Sequence, residues 1–266
     1  MIDSIFASLP EDFPWKDSIH YFDIIDSTNT RAKQMAAEGA PHGTVLIAER
    51  QTGGRGRLGR SFHSPAGSGI YLSVILRPQC HASRLMHLTC ATGTAMCDAV
   101  EAACGFRPGI KWTNDLVFRK RKLGGILTEL SLDAAGNAAY AVVGIGINCT
   151  QAETDFPENI RSIATSLKLC TDKSIDRSRV IAAMLICLEE MSQTLLPQKT
   201  LIMDQYRNDC ITVGQAISVI TGDHIRHGTA LSVDEDGALV VRFSDGHTES
   251  VSSGEVSIRG MYGYLR

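Results

Sequence analysis

The 266-residue sequence predicts an α+β protein with a small all-β segment at its C-terminal end. Three observations carry that prediction. Apolar runs at 21–25, 44–48, 70–76, 109–118, 123–130 and 140–148 have the length of strands rather than helices. Helix-forming stretches at 31–38, 83–104, 179–196 and 201–208 lie between and after them. From Val213 onward the texture changes to short strands at 214–220, 228–233, 238–243, 248–251 and 255–258, split by turn signals such as Asp236-Gly237 and Asp245-Gly246. The sequence therefore divides near residue 212, into a larger domain (1–212) and a barrel of about fifty residues (213–266).

Composition narrows the function. Hydrophobic residues make up 44% of the chain, enough for a full core, and the net charge is −3. A dedicated nucleic-acid binder is usually basic overall. The N-terminus lacks a basic segment followed by an apolar run, so no signal peptide is expected. No apolar stretch reaches the ~18 residues of a membrane span. The eight cysteines form no Cys-x-x-Cys pair, which fits reduced, buried thiols in a cytoplasmic protein.

Residues 1–20 carry Phe6, Leu9, Phe13, Trp15 and Ile19 without a clean period, as an arm packed on the domain would. After the first strand, Asp26-Ser-Thr-Asn29 is rich in helix-capping residues, and Gly39 is a plausible stop. On residue type alone Ser27, Thr28 and Asn29 are an ordinary cap, although the free N–H groups of a first turn also suit a ligand. The strand at 44–48 delivers Gln51-Thr-Gly-Gly-Arg-Gly-Arg-Leu-Gly-Arg60, with four glycines and three arginines in ten residues. Glycines let the backbone approach a ligand, and arginines offer planar donors to phosphate or carboxylate. A long irregular loop between two strands is itself a hint of function. In the helix at 83–104, Cys90, Cys97 and Cys104 share a face and read as small hydrophobes packed on a sheet.

The second dense stretch is 109–118, a strand entering a polar turn and a hairpin, with Arg119 to Lys122 as the hairpin turn. Solvation explains three of those four charges. Two adjacent glycines, Gly124 and Gly125, in the return strand suggest close approach of a ligand or another backbone. In the strand at 140–148, Gly144 and Gly146 alternate and leave a flat patch on the face that also carries Asn148. Tight helix-on-sheet packing explains such a Gly-x-Gly equally well. Residues 150–178 read as a linker.

In order, the chain contains Asp-Ser-Thr-Asn (26–29), Gly-Arg-Gly-Arg-Leu-Gly-Arg (54–60), Lys-Trp-Thr-Asn-Asp-Leu (111–116), Lys-Leu-Gly-Gly-Ile-Leu-x-Glu (122–129), Gly-Ile-Gly-Ile-Asn (144–148) and Gly-Glu-Val-Ser-Ile-Arg (254–259). As a set these motifs closely resemble the biotin protein ligases over about residues 20–260. The resemblance implies a class II synthetase-like catalytic domain, a mixed β-sheet flanked by helices, with an SH3-like barrel behind it. It implies formation of biotinyl-5′-AMP from biotin and Mg2+-ATP, then transfer of biotin to a lysine of a biotin carboxyl carrier protein. By the same resemblance Ser27, Thr28, Asn29, Gln51, Gly54, Arg55, Gly56, Arg57, Gly125 and Gly144 line the biotin site. Lys122 is the lysine near the biotin carboxylate and the α-phosphate, catalytic together with Arg57. Arg55, Arg57, Arg60, Phe62, Lys111, Asn114, Asn148 and Arg259 belong to the nucleotide side. No metal ligand is named, because Mg2+ binds mainly phosphate and water. A homodimer is compatible with the family.

The chemistry of the residues agrees with these expectations. Adenylation joins two anions and needs cations at the α-phosphate. A glycine-rich loop that closes over an acyl-adenylate keeps water away. Three departures from the family pattern stand out. Phe62 replaces a frequent tryptophan and can still stack on adenine. Thr113 replaces a common proline, and a β-branched residue also favours extended backbone. The N-terminal DNA-binding module of the bifunctional members is not expected here, which argues against a repressor. Two rival readings are a lipoate or octanoate ligase or transferase of the same fold, and a non-enzymatic biotin sensor. The former lack the Gly-Arg-Gly-Arg-x-Gly-Arg loop; a DNA-binding sensor predicts a helix-turn-helix and a basic face.

Overall fold

The computed structural model describes residues 1–221, 223–252 and 255–258. Arg259, assigned above to the nucleotide side, lies outside them. In chain order the helices are α1 (Ile2–Ser8), α2 (Thr28–Ala37), α3 (Leu88–Cys104), α4 (Glu158–Arg161), α5 (Leu167–Cys170), α6 (Arg177–Thr194) and α7 (Lys199–Asp209). The strands are β1 (Ile19–Ile25), β2 (Thr44–Gln51), β3 (Gly69–Leu76), β4 (Gly109–Lys111), β5 (Asp115–Phe118), β6 (Arg121–Leu132), β7 (Ala138–Asn148), β8 (Ala216–Thr221), β9 (His224–Val233), β10 (Leu239–Phe243), β11 (Thr248–Val251) and β12 (Glu255–Ile258).

The first seven strands form one mixed sheet in the order β1-β2-β3-β7-β6-β5-β4, with β1 parallel to β2 and the other pairs antiparallel. Two layers of helix cover it. On one face Ala32 and Ala36 of α2 meet Leu46, Ile75 and Val142. On the other, α1, α3, α6 and α7 pack into the main core, around Met96, Leu185 and Tyr206. Every residue of β3 is buried, as expected of a central strand covered on both sides. The arm expected at 1–20 is partly a seven-residue helix, too short to show a period, and Ile5 is fully buried. The linker expected at 150–178 holds two four-residue helices, α4 and α5.

Local chemistry sets the helix ends. Ser27 caps α2 by accepting from the Thr30 N–H, so that helix starts earlier than its helix-forming residues suggest. Asp176 caps α6 by accepting from the N–H groups of Ser178 and Arg179. Gly105, at φ 78°, closes α3 in the left-handed conformation that glycine supplies cheaply. Between β5 and β6 the turn is only two residues, Arg119 and Lys120, both at positive φ. That is the primed geometry a tight hairpin needs, and it moves Arg121 and Lys122 into β6.

The C-terminal strands form an antiparallel sheet in the order β11-β10-β9-β8-β12. It is docked through the turn between β9 and β10. Trp112 Nε1 donates to the Gly237 carbonyl at 2.9 Å, and Arg207 Nε donates to the Val233 carbonyl at 2.6 Å. Lys199 pairs with Asp236 and Arg207 with Glu235. The main apolar core runs through the junction without a break, from Ile5 to Val256.

Candidate active site

A cleft of about 150 Å3 opens at the ends of β2, β6 and β7. Its floor is the face of the sheet on which Gly144, Gly146 and Gly125 lie in register: Gly125 pairs with Gly146, Leu127 with Gly144, and Ser73 of β3 also with Gly144. The glycines are cavities for specific neighbours. A Cβ on Gly144 would stand 1.8 Å from Asn29 Oδ1, and one on Gly146 would stand 2.5 Å from the Phe62 ring. The patch that the Gly-x-Gly pattern suggested is therefore notched rather than open, with the Asn29 amide in one notch and a phenyl ring over the other. Gly125 differs, because a Cβ there would meet nothing closer than the Lys122 side chain at 3.5 Å.

One end of the cleft is neutral and polar. Gln51 Oε1 accepts from the Thr28 N–H at 2.9 Å and its Oγ1 at 3.2 Å, while Gln51 Nε2 donates to Ser64 Oγ at 3.0 Å. Ser73 Oγ lies 2.8 Å from Thr28 Oγ1 and 2.6 Å from Asn29 Oδ1, one proton between two acceptors. Asn29 Nδ2 donates to the Leu127 carbonyl and to Glu129 Oε2, both at 3.1 Å, which sets the orientation of its amide. Ser27, Thr28 and Asn29 are all buried.

The other end is cationic. Lys122 Nζ pairs with Asp115 Oδ1 at 2.6 Å across the β5–β6 hairpin. Arg57 NH1 donates to Asn114 Oδ1 at 2.9 Å, and Asn114 Nδ2 donates to the Ile126 carbonyl at 2.9 Å, so the loop arginine is tied to the sheet through an asparagine. Lys111, 7% exposed, and Arg60 complete the basic lining. The peptide between Trp112 and Thr113 is cis.

The loop itself is a small hairpin. Gly56 N–H donates to the Arg60 carbonyl and Phe62 N–H to the Gly54 carbonyl. At its tip Leu58 adopts φ 56°, a region costly for leucine, and is 70% exposed. Arg55 pairs with Glu129 at 3.2 Å. Burial alone would raise the Glu129 carboxyl; hydrogen bonds from Lys33 and Asn29 and the charge of Arg55 outweigh it and hold the group below the usual carboxylate range. The stem beyond the loop is clamped separately. Glu49 accepts from the Gly67 N–H and from both guanidinium NH2 groups of Arg177, which also donates to the Gly69 carbonyl.

The structure brings most of the expected residues to this one cleft: Ser27, Thr28, Asn29, Gln51, Arg55, Gly56, Arg57, Arg60, Phe62, Lys111, Asn114, Lys122, Gly125 and Gly144. Gly54 stands behind the wall, where a Cβ would meet Ser64 Oγ at 2.5 Å and the Phe62 carbonyl at 2.6 Å. Asn148 is also behind it, donating to the Thr165 carbonyl at 2.9 Å. Among the lining residues not anticipated are Asp115, Trp112 and Val256. Hairpin register counted from the two-residue turn would not have placed Asp115, because a bulge between Leu116 and Val117 shifts it opposite Gly125. Nothing local announces Val256, which reaches the cleft from the C-terminal sheet. All eight cysteines are free, and burial pushes the Cys90 and Cys149 thiols up to about 12, which leaves them unreactive. Among the described residues no three His, Cys, Asp or Glu side chains group to hold a metal, and no helix is long and apolar enough to cross a membrane.

Comparison with known proteins identifies the family. Residues 21–148 match the model of the biotin/lipoate A/B protein ligase family, and residues 212–259 match that of the biotin protein ligase C-terminal domain. The bifunctional ligase/repressor BirA of Bacillus spizizenii is 36% identical over 231 residues, covering 85% of this chain and 70% of that protein. The biotin–[acetyl-CoA-carboxylase] ligase of Mycobacterium tuberculosis is 35% identical over 236 residues, covering 86% and 85%. Among solved structures, the biotin protein ligase of Aquifex aeolicus in complex with biotin and ATP superposes with a TM-score of 0.76 at 30% identity, covering 91% of this chain and 98% of that one. The chain belongs to the biotin protein ligase family.

Proposed function

We propose that the cleft adenylates biotin with ATP and transfers the biotinyl group to a lysine of a biotin carboxyl carrier protein. The observation that carries this reading is the polarity of the cleft: a neutral hydroxyl-amide end 27–29 with Gln51, and a cationic end with Lys122, Arg57, Arg60 and Lys111. The ureido ring of biotin has two N–H donors and one carbonyl acceptor, and so fits the first end. The carboxylate and the α-phosphate are both anionic and fit the second.

In the first step a biotin carboxylate oxygen attacks the α-phosphorus and pyrophosphate leaves. Lys122 neutralises charge where carboxylate and phosphate meet, and Arg57 and Arg60 cover the phosphate from the loop. In the second step a lysine amine attacks the acyl carbon, AMP leaves, and the amine gives up a proton. The loop, held by Arg55 and Arg57, keeps the adenylate from water between the two steps. Mg2+ is expected to enter with ATP, where it neutralises the phosphates. Among the described residues Asp115 is the one carboxylate of the lining and is paired with Lys122, which would suit an ion held mainly by phosphate and water. Residues 213 onward act in this reading as a domain that closes the cleft through Val256.

Biotin-dependent ATP–pyrophosphate exchange tests the reading, with lipoate and octanoate alongside. Exchange with biotin alone is the expected result. Exchange with lipoate alone, or with none of the acids, overturns it.

A further inference from the structure

Glu129 of β6 is the point at which the loop and the sheet floor of the cleft meet. Its Oε1 accepts from Lys33 at 2.8 Å. Its Oε2 accepts from Asn29 Nδ2 at 3.1 Å and from Arg55 NH1 at 3.2 Å. One carboxylate oxygen thus holds both the Asn29 amide, which sits in the Gly144 notch, and the guanidinium of the glycine-arginine loop. Other holds of the loop on the body include the Phe62 ring, which lies over Gly146. The N–H groups of Thr52 and Gly53 donate to the carbonyls of Ile25 and Asp26 at its base, and Arg57 reaches Asn114 from its tip. At the tip Leu58 borders the cleft and is 70% exposed.

From this geometry we propose that Glu129 is a positioning residue for the biotin end of the cleft, acting through Arg55 on closure of the loop and through Asn29 on the orientation of the polar lining. The proposal deepens the reading that this cleft holds biotin. It does not make Glu129 part of the core. The α2 helix keeps its own seat through Ala32 and Ala36, and Asn29 keeps its bond to the Leu127 carbonyl. The charge on the carboxylate is what Arg55 and Lys33 require; the shape is not. Glu129→Gln therefore keeps the size and the acceptor for Asn29 but removes the attraction for the loop.

The test uses the full chain. Amide hydrogen exchange over residues 52–62 is read in the ligand-free protein, biotin KM and kcat are read in the pyrophosphate-exchange assay, and the rate of biotinyl-adenylate release is read by separating free from bound adenylate. For Glu129→Gln we expect faster loop exchange, a biotin KM raised on the order of fivefold, faster adenylate release and kcat changed less than about twofold. In an Arg55→Ala background the same substitution adds little further. Lys33→Ala, which leaves the pair with Arg55 intact, keeps wild-type loop exchange. Wild-type loop exchange and biotin KM in Glu129→Gln, or a full added effect on top of Arg55→Ala, overturn the proposal. The functional reading is judged separately, by whether the wild-type chain exchanges with biotin at all; the loop measurement stands without any ligand.

Discussion

The two walls of the cleft are built on opposite principles. The floor, from β6 and β7, is held by its main chain: every glycine that shapes it pairs in a central sheet. The loop at 52–62 has main-chain bonds to the body at its base, but beyond them it is tied by side chains, among them Arg55 on Glu129 and Arg57 on Asn114, and it carries a left-handed leucine at its tip. The floor therefore gives shape at the cost of tolerance, whereas the loop gives charge. Substitutions in the floor should change folding and binding together. Substitutions in the loop should change binding or retention and leave stability alone.

Lys122 stands where the two principles meet, as a charged side chain on a floor strand, and its removal should have the largest effect. Lys122→Ala is expected to cut adenylate formation by about 10²- to 10³-fold, with a far-UV spectrum and melting curve close to wild type. Normal turnover in that variant would remove Lys122 from its role. A collapsed fold would instead show that the pair with Asp115 holds the hairpin together.

Gly144→Ala tests the floor directly. The new Cβ would stand 1.8 Å from Asn29 Oδ1, so the asparagine must leave its notch and give up Ser73 and Glu129. A loss of about 1–3 kcal/mol in chemical denaturation is expected, together with weak biotin binding. Gly125→Ala is the matching control, because its Cβ finds ordinary contacts at 3.5 Å. It should fold normally and lose only biotin affinity, read by calorimetry. Equal melting temperatures for the two variants would erase the distinction drawn for the floor.

Arg57→Gly tests the loop. Its bond to Asn114 lies at the surface of the cleft, so stability should move by less than ~0.5 kcal/mol. The expected effect is escape of biotinyl-AMP and labelling of bystander lysines, visible on an avidin blot. Unchanged selectivity on that blot would mean that the loop does not retain the intermediate.

How much of this could be read in the sequence follows the same division. Strand positions and the glycine-arginine loop were legible, because apolar runs and local residue chemistry mark them. The cap at Ser27 was also legible, since a cap needs only its own next turn. The ties were not. Arg55 and Glu129 lie 74 residues apart, and Trp112 and Gly237 lie 125 apart, distances over which no local pattern carries information. Asn148 shows the limit of parity. Strand alternation put it on the floor's face, but the segment after β7 offers it the Thr165 carbonyl and turns it away from the cleft. The left-handed Leu58 breaks the expectation that glycine takes such positions, and no neighbouring residue signals it.

The smallest expected effect concerns the tie between the walls under acid. Hydrogen bonds from Lys33 and Asn29, with the charge of Arg55, hold the Glu129 carboxyl below its ordinary value despite its burial. A depressed carboxylate contributes stability that is fully present above its unfolded pKa, roughly 4.3, and is lost as pH falls through the lower folded value. The partners are partly exposed, with Lys33 at 37% and Arg55 at 43%, so solvent screens the network and its worth is at most ~1 kcal/mol. Urea denaturation of wild type and Glu129→Gln should therefore differ slightly at pH 7, and the difference should shrink as pH falls below the unfolded value and vanish beneath the lowered folded one. The protection of the loop amides, corrected for the intrinsic slowing of exchange in acid, should fall across the same window in the wild type and stay level in the variant. A gap in stability that persists at low pH would mean that the carboxylate works by shape rather than by charge, and the loop would then belong with the floor.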